Sequence, residues 1–90
     1  MYFVYVLRSM KTGRRYVGSC EDLSDRFRRH NNGESKSTKQ GVPWELVHHE
    51  ALATRIAAVQ RERYFKTGKG RDELNRIEKA TNSSRVEIVP

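Results

Sequence analysis

Residues 15–30 of the chain read RYVGSCEDLSDRFRRH, a stretch that predicts a strand, a short turn and a helix in succession. Asp22 is suited to cap the amino terminus of the helix, and Asp25 places a second carboxylate in the first turn. Gly33, which follows two asparagines, is a typical stop signal. We therefore predict a strand that ends at residue 18 and a helix over residues 22–32.

One stripe of this helix mixes apolar and charged side chains. Leu23, Phe27 and His30 recur at helical spacing, and Arg26 shares the same side of the helix. The two apolar residues would anchor the helix to a core and leave Arg26 and His30 beside the end of the strand that carries Tyr16. A tyrosine, an arginine and a histidine that converge in this way are suited to phosphate chemistry.

The length of 90 residues predicts one small domain with a single modest core. No apolar run is long enough to span a membrane, so we expect no membrane association. Residues 1–7 are too short, and lack the basic start, for a signal peptide, and they read as a strand instead. The single cysteine, Cys20, excludes an internal disulfide and favours a reducing, cytoplasmic location.

The charge of the chain is positive and unevenly distributed. The net charge is +7, with twelve arginines and six lysines against 11 acidic residues. Residues 8–39 carry a net charge of +5 and residues 55–76 carry +4, whereas the remainder carries −2. Two basic segments around a less basic middle favour a groove for a polyanion such as nucleic acid, and the alternative is a solvated basic surface.

Nine basic side chains in these two segments are the candidate contacts to a nucleic-acid backbone. They are Arg14, Arg15, Arg28, Arg29, Lys36, Lys39, Lys66, Lys69 and Arg71.

The remaining elements follow from hydrophobic patterning and from turn residues. The predicted elements are strands over 2–8, 14–18 and 44–52, a mobile basic loop over 33–43, a helix over 54–67 stopped by Gly68, a turn over 69–71, a helix over 72–80, a break over 81–84, and an edge strand or loose tail over 85–89.

Tyr5 and Tyr16 are candidate catalytic residues on the first two strands. A hairpin turn centred between residues 10 and 11 would place the two tyrosines opposite each other on one face of the sheet. A phenol has a pKa of about 10, so a tyrosine acts as a base only beside a cation such as Arg26. The alternative is that both are ordinary strand aromatics with one polar tip in water.

Glu62 is a carboxylate on the face of its helix that also carries Ala58 and Phe65. One or two carboxylates, together with substrate phosphate oxygens and waters, commonly hold Mg²⁺, so Glu62 is a candidate metal ligand. The alternative is a surface ion pair with a neighbour such as Lys66. His30 is a candidate proton relay or phosphate ligand, or else a half-buried helix residue.

The combined order of these residues resembles the GIY-YIG nuclease superfamily. Val4-Tyr5 is followed after ten residues by Tyr16-Val17-Gly18, and then by Arg26, His30 and Glu62. The resemblance covers about residues 1–80 and includes the runs Leu-x-x-Arg-x-x-x-His-Asn (23–31), Pro-Trp-Glu-Leu-Val (43–47) and Glu-x-x-x-Lys-x-Gly-x-Gly-Arg (62–71). The chain is most similar to the small standalone bacterial members, which are related to excision-repair nucleases.

The resemblance implies an α+β fold over residues 1–80, with a three-stranded antiparallel sheet flanked by helices. The pattern of the residues beyond it predicts a tail or edge strand over 81–90. It also implies a DNA endonuclease that hydrolyses phosphodiester bonds with one Mg²⁺ or Mn²⁺ ion. Either Tyr5 or Tyr16 would activate or position the attacking water, Arg26 would stabilise charge on the phosphate, and Glu62 would hold the metal. His30 matches a histidine found in part of the family.

Several alternatives stay open at this level. Many family members carry a late asparagine, for which Asn75 is the nearest candidate. Because the chain shows no separate specificity domain, we expect weak sequence specificity, with branched or single-stranded DNA among the candidate substrates and a role in DNA repair or recombination. The rival readings are a nucleic-acid-binding module of the same fold that does not cleave efficiently, and an adaptor that meets an acidic protein partner.

Overall fold

The computed structural model describes the backbone of residues 1–88 and the side chains of residues 1–80. In chain order, its elements are β1 (Tyr2–Ser9), β2 (Arg15–Cys20), α1 (Leu23–Asn31), a short 3₁₀ turn (Lys39–Gly41), β3 (Trp44–Leu52), α2 (Arg55–Phe65) and α3 (Gly68–Ile88). The three strands form one antiparallel sheet in the order β2-β1-β3, which confirms the predicted α+β architecture.

The central strand β1 is buried on both faces, and its alternating side chains belong to two separate cores. Tyr5 and Leu7 pack with Trp44 on the face that is covered by α1 through Leu23 and Phe27. On the opposite face, the valines of β1 pack against residues of α2 and α3. The sheet therefore lies between α1 on one side and the pair α2 and α3 on the other.

The register of the first hairpin differs from the predicted one by two residues. Tyr5 lies opposite Gly18, and Tyr16 lies opposite Leu7. The turn is longer than expected because the Ser9 hydroxyl accepts hydrogen bonds from the two backbone amides of residues 11 and 12. A shift of two residues keeps every side chain on its face, so the two tyrosines still share one face of the sheet.

The segment over 33–43, which was predicted to be a mobile basic loop, is pinned to the α1 face by several contacts. The Trp44 indole donates a hydrogen bond of 2.8 Å to the carbonyl oxygen of Thr38, and Thr38 itself is buried. The Ser9 hydroxyl donates to the carbonyl oxygen of Gly41 at 2.6 Å. The Asn31 side chain bonds both the amide and the carbonyl of Trp44.

Helix α3 begins at Gly68, so the turn predicted over 69–71 is wrong. The Thr67 hydroxyl accepts a hydrogen bond from the amide of Gly70 at 3.1 Å and caps the new helix. A Cβ atom on Gly70 would overlap the Tyr64 carbonyl and the Phe65 Cα, so glycine is what allows α3 to start so close to the end of α2.

Helix α3 also continues through residues 81–84, where a break was predicted, and reaches Ile88. Residues 85–88 are therefore helical and do not form the predicted edge strand, while residues 89–90 lie outside the described part of the chain. The division of the chain into a domain over 1–80 and a tail over 81–90 stays a prediction. Among the helices described, none has the length and apolar character needed to cross a membrane.

We expect Gly70→Ala to lower the free energy of unfolding by about 1–3 kcal/mol, because the new methyl group would be forced into backbone atoms that cannot rotate away. Gly68→Ala is the matched control, since a Cβ at that position meets no atom within 4 Å. Urea unfolding followed by circular dichroism measures both variants. Equal stability of the two variants would contradict the close approach of α2 and α3.

Candidate active site

The centre of the site is the place where Tyr5 crosses the neighbouring strand at Gly18. A Cβ atom on Gly18 would lie 2.6 Å from the Tyr5 hydroxyl oxygen and 3.1 Å from a ring carbon of Tyr16. The two phenol rings occupy this space with their centroids 6.2 Å apart. The missing side chain of Gly18 therefore allows the two motif tyrosines to meet on one face of the sheet.

A buried chain of hydrogen bonds extends from Tyr5 into α1 and the following loop. The Tyr5 hydroxyl lies 2.9 Å from Nε2 of His30, and Nδ1 of His30 lies 2.7 Å from the hydroxyl oxygen of Thr38. These side chains belong to residues only 1%, 2% and 1% exposed, respectively. The predicted approach of His30 to Tyr16 is present, since their ring centroids lie 5.0 Å apart. The contact of His30 with Tyr5 was not predicted, and Thr38 was not among the candidates.

Tyr16 differs from Tyr5 because it reaches the surface. It lines the Glu34 cleft, formed by Tyr16, Arg26, Arg29, His30, Glu34 and Ser35. It also lines the Lys66 cleft, formed by Arg15, Tyr16, Val17, Phe65, Lys66 and Arg71. Its ring centroid lies 5.0 Å from that of His30 and 6.4 Å from that of Trp44, which fixes its position, and the residue is half-buried.

Arg26 is exposed on α1 and connects the Glu34 cleft with a third depression. This Ser19 cleft is formed by Tyr2, Ser19, Cys20, Glu21, Arg26, Arg55, Ala58 and Val59. The guanidinium of Arg26 therefore borders both the tyrosine–histidine cluster and the strand residues beyond Gly18.

Burial and the charge of Arg26 set the protonation states in this cluster. Burial raises the pKa of the Tyr5 hydroxyl well above its ordinary value, the Tyr16 phenol adds to this effect, and Arg26 opposes it. Burial lowers the pKa of His30, and Arg26 lowers it further. Burial also raises the pKa of the Cys20 thiol. At neutral pH, Tyr5 is consequently a phenol, His30 a neutral imidazole and Cys20 a thiol.

Glu62 reaches the same strand from the opposite face of the sheet. The Ser19 hydroxyl donates a hydrogen bond of 2.7 Å to one carboxylate oxygen, and the Lys66 ammonium donates one of 2.7 Å to the other. Burial alone would raise the pKa of Glu62, but the hydrogen bonds from Lys66 and Ser19 hold it below its ordinary value. Glu62 is therefore an ionised carboxylate. The ion pair with Lys66, which the sequence offered as the alternative, is present beside the hydrogen bond from Ser19.

Ser19 is a second residue that was absent from the candidates. Alternation along β2 places it on the face opposite Tyr16 and Gly18, towards α2. The sequence predicts that alternation, but it does not show that Glu62 is the partner of Ser19.

The fit of a divalent ion to this site depends on Glu62. No group of three or more His, Cys, Asp or Glu side chains suited to a metal occurs in the described part of the chain. A hard cation that takes its other ligands from phosphate oxygens and waters needs only one or two carboxylates, and Glu62 supplies one. Because the Lys66 side chain is 53% exposed, it has room to leave the second oxygen.

The nine basic candidates divide into two groups. Four of them are already in ion pairs: Arg15 with Glu78, Arg28 and Arg29 with Asp25, and Lys66 with Glu62. The other five are exposed and form no ion pair with a described residue: Arg14, Lys36, Lys39, Lys69 and Arg71. The second group is the more available to an external anion.

Asn75 lies on α3 and is engaged at the border of the Lys66 cleft. Its side-chain oxygen accepts a hydrogen bond from Arg15, whose guanidinium also pairs with Glu78 at 2.7 Å. Arg8 of β1 pairs with the same Glu78 carboxylate at 2.8 Å. Within the described side chains, no hydrogen bond joins Asn75 to Glu62, so its participation in a metal site stays a prediction.

We expect Gly18→Ala to lower the free energy of unfolding by about 1–3 kcal/mol, because the new methyl group meets the Tyr5 hydroxyl. The cost should be smaller when Tyr5→Phe is already present, since that change removes the nearest atom. A double-mutant cycle by urea unfolding measures the difference. Additive effects of the two substitutions would argue against the packing of Tyr5 on Gly18.

We expect a nuclear magnetic resonance titration of His30 to give a pKa below 6.5. Because the unfolded chain then binds more protons, the contribution of His30 to the free energy of unfolding is complete above pH 6.5 and declines as the pH falls through the folded-state pKa. Unfolding at about pH 7.5 and about pH 5.5 should therefore show lower stability in acid. A folded-state pKa at or above 6.5 would mean that the imidazole is solvated.

Comparison with known proteins agrees with this geometry. The chain is 36% identical over 78 residues to a UPF0213 protein of Staphylococcus epidermidis, with 86% of this chain and 94% of the relative covered. It is 35% identical over 89 residues to UPF0213 protein YazA of Bacillus subtilis, with 98% and 89% covered. A family model described as the GIY-YIG catalytic domain matches residues 1–77. The chain therefore belongs to the GIY-YIG nuclease family.

Proposed function

We propose that this chain is a divalent-metal-dependent endonuclease that hydrolyses phosphodiester bonds in DNA with weak sequence specificity. The observation that carries the proposal is that Tyr16, Arg26 and Glu62 all lie next to β2, the edge strand of the described sheet, with Glu62 on the face opposite Tyr16. Tyr16 and Arg26 share the Glu34 cleft, and Arg26 shares the Ser19 cleft with the hydroxyl that bonds Glu62.

Tyr16 is the tyrosine that contacts the attacking water in this proposal. It lines two clefts, whereas Tyr5 is 1% exposed and its hydroxyl is occupied by His30. The raised pKa of Tyr5 also disfavours a phenolate at that position, because burial penalises the charged form. In this proposal, Tyr5 supports the ring of Tyr16, and the Tyr16 hydroxyl would orient the water towards the phosphorus atom.

Arg26 and Glu62 provide the charges that phosphodiester hydrolysis requires. The planar fork of Arg26 suits the phosphate oxygens, on which negative charge increases as the water oxygen bonds to phosphorus and the ester bond breaks. Glu62, oriented by Ser19, would hold the divalent ion. When bound, such an ion supplies Lewis-acid stabilisation of the phosphate charge.

The basic side chains around the clefts would bind the DNA backbone. Lys66 and Arg71 line the same cleft as Tyr16, and Lys69 is exposed in the first turn of α3 between them. Contacts of this kind fix the position of a duplex or single strand without reading its bases, which supports weak sequence specificity. Branched and single-stranded DNA, a role in repair or recombination, and a cytoplasmic location belong to the same proposal.

A binding module of the same fold is the second candidate function. It is favoured by one observation: both carboxylate oxygens of Glu62 accept hydrogen bonds from side chains of the chain itself, Ser19 and Lys66. In that case the clefts would bind DNA without efficient cleavage, and binding would weaken steeply with salt.

We expect Glu62→Gln and Tyr16→Phe each to lower the cleavage rate by about 10²–10³-fold, because each removes one stabilising or orienting group. The assay uses plasmid, duplex, branched and single-stranded DNA with Mg²⁺, Mn²⁺ or EDTA. Glu73→Gln and Tyr64→Phe are matched controls, since these side chains bond each other on the α2–α3 surface and line none of the three clefts.

The controls should keep the wild-type rate, and circular dichroism should show that all four variants are folded. Cleavage that survives both Glu62→Gln and Tyr16→Phe would show that the activity comes from a contaminant. Salt-sensitive DNA binding without any cut product would support the binding module instead.

A further inference from the structure

We propose that Thr38 is a positioning residue of the site. Its hydroxyl accepts a hydrogen bond from Nδ1 of His30, and this contact fixes the imidazole tautomer whose Nε2 accepts a hydrogen bond from the Tyr5 hydroxyl. The three groups form a continuous chain, with 2.9 Å between the Tyr5 oxygen and Nε2 and 2.7 Å between Nδ1 and the Thr38 oxygen. Because all three residues are nearly inaccessible, the chain is protected from competing water.

The direction of these hydrogen bonds follows from the acceptors available to the Tyr5 hydroxyl. A guanidinium can only donate, so Arg26, whose charge lowers the Tyr5 pKa, cannot accept the Tyr5 proton. Within the described side chains, the acceptor in contact with the Tyr5 hydroxyl is Nε2 of His30. Tyr5 therefore donates to Nε2, which leaves the single hydrogen of the neutral imidazole on Nδ1 and directs it to Thr38.

The backbone of Thr38 is held independently of its hydroxyl. Its carbonyl oxygen accepts the Trp44 indole N–H at 2.8 Å, and its amide donates to the Ser35 carbonyl at 3.2 Å. Trp44 is in turn bonded through its backbone to the Asn31 side chain. Substitution of the Thr38 side chain can therefore remove the hydroxyl while the loop keeps its anchors.

The orientation of His30 matters to both tyrosines. Its ring centroid lies 5.7 Å from that of Tyr5 and 5.0 Å from that of Tyr16. Among the described side chains, the acceptor in contact with Nδ1 is the Thr38 hydroxyl. Without it, Nδ1–H would lose this hydrogen bond, and the hydrogen would move to Nε2, which then faces the Tyr5 oxygen as a donor. The Tyr5 proton would lose its acceptor, and the two tyrosine rings would lose their fixed support.

The test compares Thr38→Val, which keeps the shape and removes the hydroxyl, with Thr38→Ser, which keeps the hydroxyl. Long-range proton–nitrogen nuclear magnetic resonance on the DNA-free protein reports which His30 nitrogen carries the hydrogen, with His30→Gln to assign the signals. We expect Nδ1–H in the wild type and in Thr38→Ser, and a shift towards Nε2–H in Thr38→Val. Wild-type signals from Nε2–H, or Nδ1–H retained in Thr38→Val, would overturn the proposal.

The second readout is the cleavage rate, and only this readout rests on the proposed function. We expect Thr38→Val to lower kcat by about 10-fold to 100-fold with little change in KM for DNA, and Thr38→Ser to restore most of kcat. An equal loss in both variants would overturn the positioning role. If the wild type cuts no DNA, the proposed function fails and the resonance measurement alone decides the tautomer; if Thr38→Val does not fold, Thr38→Ala replaces it.

Discussion

The absence of a side chain at Gly18 is the constraint on which the site depends. Tyr5, from the central strand, needs the space that a Cβ atom at residue 18 would fill, and only glycine leaves it open. With that space available, the Tyr5 hydroxyl reaches His30, and the ring of Tyr16 packs beside both. A glycine that looks like a turn or strand-end residue thus determines the arrangement of three aromatic side chains.

The position of β2 at the edge of the sheet explains how groups from both faces can act together. Because side chains alternate along β2, Tyr16 lies on the face of the sheet that α1 covers and Ser19 lies on the face that α2 covers. Because no strand among the described residues pairs with the outer edge of β2, Arg26 from α1 and Glu62 from α2 can approach its residues from opposite sides. If β2 were a central strand, a further strand paired with its outer edge would separate these groups.

Capping residues and hydrophobic patterning in the sequence correctly predicted the elements whose bounds depend on nearby residues. Helix α1 is capped by Asp22 as expected, and β3 has the predicted bounds. The hairpin register could not be predicted, because the Ser9 hydroxyl lengthens the turn while it is also bonded to the carbonyl of Gly41 far along the chain. The start of α3 was missed because glycines normally disfavour helices, whereas here close contact with α2 requires one.

The candidate site shows the same division. The order of Tyr5, Tyr16, Arg26, His30 and Glu62 predicted residues that gather around β2, yet their individual roles stay predictions. Thr38 carries no distinguishing pattern in its polar loop, and its burial arises from the Trp44 contact to its carbonyl. His30 is therefore held by Thr38, and Glu62 is held by Ser19. The contribution of these two partners is visible only in the three-dimensional structure.

The carboxylate of Glu78 has a consequence for how the positive charge of the chain should be counted. Arg8 and Arg15, from adjacent strands, both pair with it, and its residue is only 9% exposed. Neutralised cations displace few counterions when a polyanion arrives, so they add little to the slope of log affinity against log salt. The ionic-strength dependence of any complex with a nucleic acid would therefore reflect the arginines and lysines outside such pairs, a smaller number than the 18 basic residues of the sequence.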